Sequence, residues 1–587
     1  MGQFDCNRNA GRPLPATWAR VLLALGLTLA AGPGAAANLE HSEFDATLAA
    51  PYQGGANGQR SFTLMFDYPL AAPQSVAWRL ELLAPDGRVV RQWDGTEALA
   101  RGLVSVDVRW DGRIGGSAAP APAGVYRVRL QAWSRDAAAV AGAGATGVSG
   151  PAALSDVVLQ QWDIAVGRRA APLMPAFRAL PMPSTGVNAD AAPAPASLPY
   201  TVYLGNLHSQ SSHSDGGGDL ASCSGAQDPQ SGAYGPTDAY AFAHKRGLDI
   251  LVTSEHNHMY DGSDGTRADA KPAAASALFQ SGLGAASRYN AAHPGFLAVY
   301  GLEWGVIANG GHLNIFNSAE LLGWERNASG QLLADTLTPK SDYAALYALM
   351  RRRGLVGQFN HPAPSGQFLV AGVPFGYSAD GDQVMALCEV VNTNAFSTNT
   401  SETEMRRSNF ESACNKVLEA GYHVAFSTNQ DNHCANWGAS YGNRTGVLLP
   451  AGRPVSNAAF IDALKARRVF ATMDKGSQLV LTANGHIMGE RFTNSGPLTL
   501  LANFASSTGK AVSTVQILEG VPGRNGSVSE LSSTANTTIT PAIGEHFYYA
   551  RLTQDDGNIL WSAPIWVTQV RLGNTIAAAA PSPHRNK

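Results

Sequence analysis

The chain has 587 residues, room for about three or four domains, and carries 42 Lys+Arg against 45 Asp+Glu for a net charge of −3. Only 15% of residues are charged, and nothing in that near-balance suggests the basic patch a nucleic-acid or anionic-membrane partner would require. At the N-terminus Arg12 and Arg20 precede the apolar run Val21–Ala31, and Ala35-Ala36-Ala37 offers small residues for cleavage before Asn38. Residues 1–37 therefore read as a secretory signal peptide, and the protein is expected to be exported to the periplasm or the extracellular space. The apolar run is short for a bilayer span, and no other segment reads as transmembrane.

Residues 38–168 alternate apolar and polar positions in short runs at Phe62–Phe66, Ser75–Leu83, Arg88–Trp93, Leu103–Trp110 and Gly124–Trp133, with Pro85-Asp86-Gly87 as a turn. Short strands at that spacing predict a β-sandwich. The run WDGRIGGSAAPAPAGVYRVRL resembles the last hairpin of the immunoglobulin-like module of flagellar hook-capping proteins. This stretch lacks a cluster of His or carboxylate, so the unit reads as a packing or spacer domain. Residues 169–198 are rich in Ala and Pro and read as an extended linker over the surface. Residues 476–572 return to alternating short runs (LVLTANG, LTLLANF, FYYARLTQ), a second and smaller β-sandwich, and 573–587 read as a disordered tail.

Residues 199–475 carry the chemistry. The segment YLGNLHSQSSHSDGGGDL packs His208, Gln210, His213 and Asp215 between a strand-like run and a glycine-rich loop. Similar endings recur: LVTSEHNH gives Glu255, His256 and His258, GLEW and GGHLNIF give Glu303 and His312, LVGQFNHP gives His361, and HVAFSTNQDNHC gives Asp431 and His433. Several of these runs follow a helix closed by glycine, at Gly247, Gly354 and Gly421. Repeats of helix, Gly, strand and metal-type residue predict a β/α barrel with its site at the C-terminal strand ends.

The set HSQ…SDG, SEHN, GLEW, GGHLN, NHP and DNH resembles the PHP (polymerase and histidinol phosphatase) metallohydrolases, and especially their carbaryl-hydrolase-like branch, over roughly residues 199–475. The terminal segment WSAPIWV is similar to chain ends of the same branch, with Trp561, Pro564 and Trp566 as packing residues. The resemblance implies a distorted seven-stranded β/α barrel flanked by the two sandwiches, with two or three divalent ions of zinc, manganese or iron. Two positions depart from the family pattern. The opening motif, usually H-x-H, is His208-Ser209-Gln210, and the second, usually D-H, is Glu255-His256.

Carried onto this chain, the resemblance assigns His208, Gln210, Glu303 and Asp431 to one ion, Glu303, His312 and His361 to a second, and Asp215, His256 and His433 to a third. Glu303 bridges the first two, Glu303 and Asp431 are the catalytic carboxylates, and His258 is a candidate proton shuttle. A water between such ions loses a proton near neutral pH and becomes the nucleophile. The expected reaction is hydrolysis of a small-molecule or ester substrate, a phosphoester first and a carbamate, carboxyl ester or amide second. A catalytically inactive, metal-stabilised binding protein is the alternative of another class. His213 stands as a substitute or neighbour of the ligands, and His244, His293 and His423 as structural. Asn360, Asn392, Asn432 and Trp437 lie beside the motifs as orienting or lining residues.

The five ligand-bearing segments contain no Lys or Arg; Arg267 and Arg444 lie just outside them. Phosphomonoester sites commonly clamp the dianion with guanidinium, so a phosphodiester or an uncharged ester is favoured, with Trp304 and Trp437 as an apolar wall. Without Cys6, four cysteines remain in an oxidising compartment. If Asp215 and His433 share an ion, Cys223 and Cys434 are brought together as a bridge. Cys388 and Cys414 either pair or remain buried thiols.

Overall fold

The computed structural model describes residues 44–571 apart from 56–57, 68–73, 100–101, 116–118, 137–156, 184–197, 307–310, 363–368, 371–372 and 375. The expected signal peptide and C-terminal tail lie outside the described residues. The fold is 42% strand and 15% helix, which already favours sheets over an alternating β/α layout.

Near the N-terminus, strands Asp45–Ala49, Arg60–Asp67 and Val104–Trp110 form one antiparallel sheet. A second, ordered Val89–Leu99, Gln74–Leu83, Gly124–Asp136 and Val157–Val166, is antiparallel throughout. Alternating inward residues of both, Phe62, Leu64 and Phe66 with Leu80, Leu82, Val128 and Leu130, are buried in one core. Each such side chain contributes about 1.5–3 kcal/mol on leaving water. Residues 169–183, the described part of the expected linker, carry no regular structure over 169–181 and are mostly exposed or half-buried, but are anchored near their end. Leu180 and Met182 are buried, and the Gln478 amide bonds both backbone groups of Leu180 (2.9 and 3.1 Å).

The central strands are almost wholly buried, as in Ile250–His256, Leu297–Trp304 and Met385–Thr393. Tyr200–Asn206, Ile250–His256 and Leu297–Trp304 run parallel, but Leu313–Ile315 is antiparallel to both of its neighbours, Leu297–Trp304 and Gly357–Phe359. Met385–Thr393 and Ala425–Thr428 then continue in parallel. The seven-stranded barrel expected from sequence is therefore not formed, because the sheet does not close.

Two local choices explain this. Tyr200–Asn206 gives its other edge to the antiparallel strand Arg444–Pro450, which pairs with Val469–Thr472 and through it with Ile559–Ser562. At the would-be seam, the Thr445 hydroxyl accepts from Thr428 N (3.0 Å) and donates to Thr428 O (3.1 Å). A side chain thus occupies backbone groups that a closing ladder would need. The sheet instead runs on into the C-terminal strands Val512–Gly520, Gly544–Gln554 and Ile565–Val570, faced by the four-stranded sheet of His486–Ile487, Ser477–Ala483, Leu498–Ser506 and Asn536–Ile539. Trp561 and Trp566 are buried packing residues there. Arg551, also buried, pairs with Asp163 of the N-terminal sheet and Glu411 of the helix Glu411–Ala420.

Two disulfides, Cys223–Cys434 and Cys388–Cys414, are present, each with Cα atoms 5.8 Å apart. No helix among the described residues is long and apolar enough to cross a membrane.

Candidate metal centre

Register builds the site. In the parallel ladder Glu303 stands beside His256, and the antiparallel neighbour sets Asn314 opposite Glu303, with His312 just before it. His208 follows the Tyr200–Asn206 strand, His361 follows Gly357–Phe359, and Asp431 and His433 follow Ala425–Thr428. Side chains at these ends point into one volume.

Glu303, 1% exposed, is at the middle. Its Oε1 lies 2.8 Å from Asn360 Nδ2, 3.1 Å from His312 Nδ1 and 3.3 Å from His361 Nε2. Its Oε2 lies 2.6 Å from Gln210 Nε2, 3.0 Å from His208 Nε2 and 3.6 Å from His256 Nδ1. Three groups place ligand atoms within 4.8 Å of one another: His208 with Glu303 and His361, His256 with Glu303 and His312, and Asp215 with His256 and His433. Asp431 Oδ1 joins the first, 3.0 Å from His208 Nε2. The group of Asp215, His256 and His433 is the one the resemblance assigned, and Glu303 divides its oxygens as assigned, Oε1 to His312 and His361 and Oε2 to His208 and Gln210. Beyond that assignment, His361 also groups with His208, and His256 faces two clusters, its Nε2 3.7 Å from Asp215 and its Nδ1 toward Glu303. A neutral imidazole has one lone pair, so it serves one of them at a time.

Oriented tautomers accompany the convergence. His208 directs Nδ1 to Glu389 Oε1 (3.3 Å), which leaves Nε2 for Glu303 and Asp431. His433 directs Nδ1 to Asp431 O (2.9 Å) and Nε2 toward Asp215 Oδ1 (3.4 Å). Outer partners of this kind fix ligating histidines in metal sites. The residues fit divalent ions on a further observation. Asp215 Oδ1 and Asp431 Oδ1 are buried and face the Nε2 atoms of His433 and His208 at 3.4 and 3.0 Å, which can donate to them only when those rings are protonated. A buried carboxylate oxygen without a donor is costly, and a cation removes that cost.

The electrostatics agree. Burial opposes a proton on His433, yet Asp215 and Asp431 hold its pKa up at about 10. Burial likewise opposes a proton on His208, and Asp431, Glu303 and Glu389 overcome it, holding the pKa well above the usual value. Protons on these rings occupy the place of ionic charge among the carboxylates. His312, where burial dominates, is pushed down to about 4 and stays neutral.

The backbone is strained at two of these residues, His361 (φ 25°) and Asp431 (φ 50°). Such left-handed positions cost on the order of 1–3 kcal/mol each. His361 N bonds Glu389 Oε2 (2.8 Å), and Asp431 N bonds His208 O (2.9 Å), holding both conformations. In the glycine loop, Gly217 has φ 72°, and a Cβ there would stand 2.1 Å from Tyr234 O. Gly218 pairs with Cys434, whose disulfide to Cys223 staples the Asp215 loop to the His433 loop.

Other expected residues lie elsewhere. The His258 ring is 6.0 Å from His256 but stacks on Trp324, with Nε2 3.7 Å from Asp264, rather than facing Glu303. His213 bonds Tyr300 OH (2.8 Å), and burial lowers its pKa to about 4. Trp304 and Trp437 are not an exposed wall. Both are buried, Trp304 Nε1 donating to Thr338 and Trp437 Nε1 to Gln210 O. Arg444 gives its guanidinium to Glu402 and to the carbonyls of Tyr441 and Asn443. His423 bonds Asp382, His244 meets Tyr289 edge-on and His293 stacks on the same ring. Sequence reasoning passed over Glu389; a single acid inside the buried run MALCEVV was the available signal. A cavity of about 650 Å³ lies apart from the centre, lined by Arg127, Asp163, Glu411, Gln516 and Arg551.

No protein-family profile matches this chain, and no curated protein does. Among solved structures it is similar to a CARDB domain from Pyrococcus furiosus in complex with di-metal ions (13% identity, 22% of this chain, 89% of that one, TM-score 0.13). It is also similar to a putative beta-galactosidase from Bacteroides fragilis (10%, 90% and 73%, TM-score 0.13) and a beta-glucuronidase from Bacteroides uniformis (8%, 90% and 61%, TM-score 0.14). Scores this low carry no argument about fold or activity.

Proposed function

We propose that this chain is an exported metal-dependent hydrolase with PHP-type chemistry, acting on a phosphodiester in preference to a phosphomonoester. The observation that carries the reading is the convergence of five imidazoles and three carboxylates, Glu303 at their middle, with Asp215 and Asp431 each presenting to an imidazole nitrogen a buried oxygen that has no donor once the ring is neutral. It rests on the residues and not on a barrel. His208, Glu303, His361 and Asp431 would hold one ion, with His312, His256, Asp215 and His433 for the others. Such ions supply Lewis acidity toward a scissile oxygen and lower the pKa of water from 15.7 to about 7.

The protein's own groups do the rest. Glu303, fixed by Asn360 and Gln210, keeps its charge central. Asp431 has the most exposed side chain of the three carboxylates, at 11% against 5% for Asp215 and 1% for Glu303. In hydrolysis the water oxygen bonds to phosphorus, the bond to the leaving alcohol breaks, and the alcohol departs with a proton. Of the two arginines that flank the ligand segments, Arg444 is committed to Glu402 and Arg267 lies exposed beside Asp269 (3.6 Å), which favours a substrate with one negative charge or none. That observation also favours the second reading, a carbamate or carboxyl ester. The two disulfides fit export, since such bonds persist in oxidising compartments.

The test is metal analysis of the purified protein, followed by kcat/KM for an aryl phosphate, phosphodiester and carboxyl ester sharing one leaving group. Activity should need the ions, vanish in Glu303→Ala and be highest on the diester. Full turnover in Glu303→Ala would overturn the proposal, and a monoester that is clearly best would overturn the substrate preference.

A further inference from the structure

The two residues at which this chain departs from the pattern it resembles, Gln210 and Glu255, are joined through Ser214. Gln210 is anchored by its backbone, N to Asn432 O (2.9 Å) and O to Trp437 Nε1 (2.8 Å). Gly216 packs on it so closely that a Cβ there would stand 2.6 Å from its Cβ. Only the amide is left to turn. Its Nε2 lies 2.6 Å from Glu303 Oε2, and its Oε1 lies 3.1 Å from Ser214 Oγ.

Ser214 has one hydroxyl proton and two acceptors to choose from. Glu255 Oε2 is 2.6 Å away, Gln210 Oε1 is 3.1 Å away, and the carboxylate is both closer and charged. Glu255, fully buried, is held in place by Ser211 N (3.0 Å) and Ser211 Oγ (2.5 Å). With the Ser214 proton given to Glu255, the Ser214 lone pairs face the Gln210 carbonyl oxygen, acceptor against acceptor. A half turn of the amide removes that conflict, because the NH2 then donates to Ser214. The same turn brings the amide oxygen against Glu303 Oε2, an arrangement two oxygens tolerate only with a cation between them.

We propose that Glu255 and Ser214 are positioning residues that turn the Gln210 amide so that its oxygen faces Glu303 when an ion is bound. Gln210 is then a neutral oxygen ligand where the family pattern has imidazole, and the two departures form one compensating unit. Without an ion the amide nitrogen faces Glu303. This inference rests on the metal-centre reading above. Oxygen donors favour manganese over softer ions, so Mn²⁺ is the probe.

The experiment uses metal-stripped full-length protein titrated calorimetrically with MnCl₂, with bound manganese counted after desalting. Ser214→Ala should weaken binding at one site by about 10–100-fold, the usual effect of removing an outer partner. Ser214→Thr, which keeps the hydroxyl, should bind as wild type. Gln210→Glu in the Ser214→Ala background should restore affinity, because a carboxylate offers oxygen on both faces and needs no orienting. Thermal unfolding of the stripped variants checks that each is folded. Unchanged affinity and count in Ser214→Ala, or a folded double variant that stays weak, would overturn the inference and leave the metal centre standing. Wild-type protein that binds no manganese would overturn both.

Discussion

Glu389→Gln is the sharpest test of how this centre is held. Glu389 is fully buried and serves three donors, His208 Nδ1 (3.3 Å) and Asn429 Nδ2 (2.8 Å) at Oε1 and His361 N (2.8 Å) at Oε2. Glutamine keeps the shape but has one accepting oxygen. Whichever way its amide turns, an NH2 meets either the His361 N–H or the pair formed by His208 and Asn429. At least one hydrogen bond to a charged group is lost, worth about 1.5–3 kcal/mol. At 1.4 kcal/mol per decade, that is roughly 10–150-fold, which agrees with the 10–100-fold typical of outer partners in metal sites. The expected result is metal binding weaker by about that factor, with a circular dichroism spectrum like wild type. Calorimetric titration of the stripped proteins at one pH measures it. Affinity within about twofold of wild type would refute the claim that Glu389 sets the His208 tautomer and the His361 backbone.

Metal uptake at pH 7 should release protons, because His433, held at about 10, and His208 are protonated in the ion-free protein. Apparent affinity should therefore rise with pH up to about 10, and titrations in two buffers of different ionisation heat that show no proton release would contradict this. In the ion-free protein the raised pKa has the opposite consequence: the stability from His433 is complete below 6.5 and lost as pH rises through about 10. Removing the Cys223–Cys434 bridge, which closes a separation of 211 residues, should cost about 2–5 kcal/mol in denaturant unfolding. It should also deplete the ion shared by Asp215 and His433 first, and metal counts unchanged in a Cys223→Ser, Cys434→Ser variant would speak against the staple. Arg551→Ala removes the nearest cation from buried Asp163, which keeps only half-exposed Arg127 (3.4 Å), and should destabilise the protein by up to about 3–5 kcal/mol, whereas a loss below about 1 kcal/mol would show that the pairing is not structural.

The identities of the converging residues were legible in the sequence for a local reason. A strand end fixes where its last side chains point, so His256, Glu303, His361 and the Asp431–His433 pair could be picked out one strand at a time. Their grouping was legible only in part, as for Asp215, His256 and His433. Which carboxylate a histidine meets depends on the register between strands remote in sequence, and Glu303 beside His256 is such a fact. Glu389 was hidden because a buried strand reads as continuous apolar sequence, and its one acid acquires meaning only from the three donors around it. The barrel failed for a related reason. Hydrophobic runs mark strands but carry no direction, so neither the antiparallel turn of Leu313–Ile315 nor the Arg444–Pro450 strand on the other edge of Tyr200–Asn206 could be read from them. By itself, then, the sequence determined which side chains end each strand, because that is covalent order and pleat. Pairing, register and the orientation of each imidazole were decided by tertiary structure, because hydrogen bonds between distant backbone groups carry no signature in local composition.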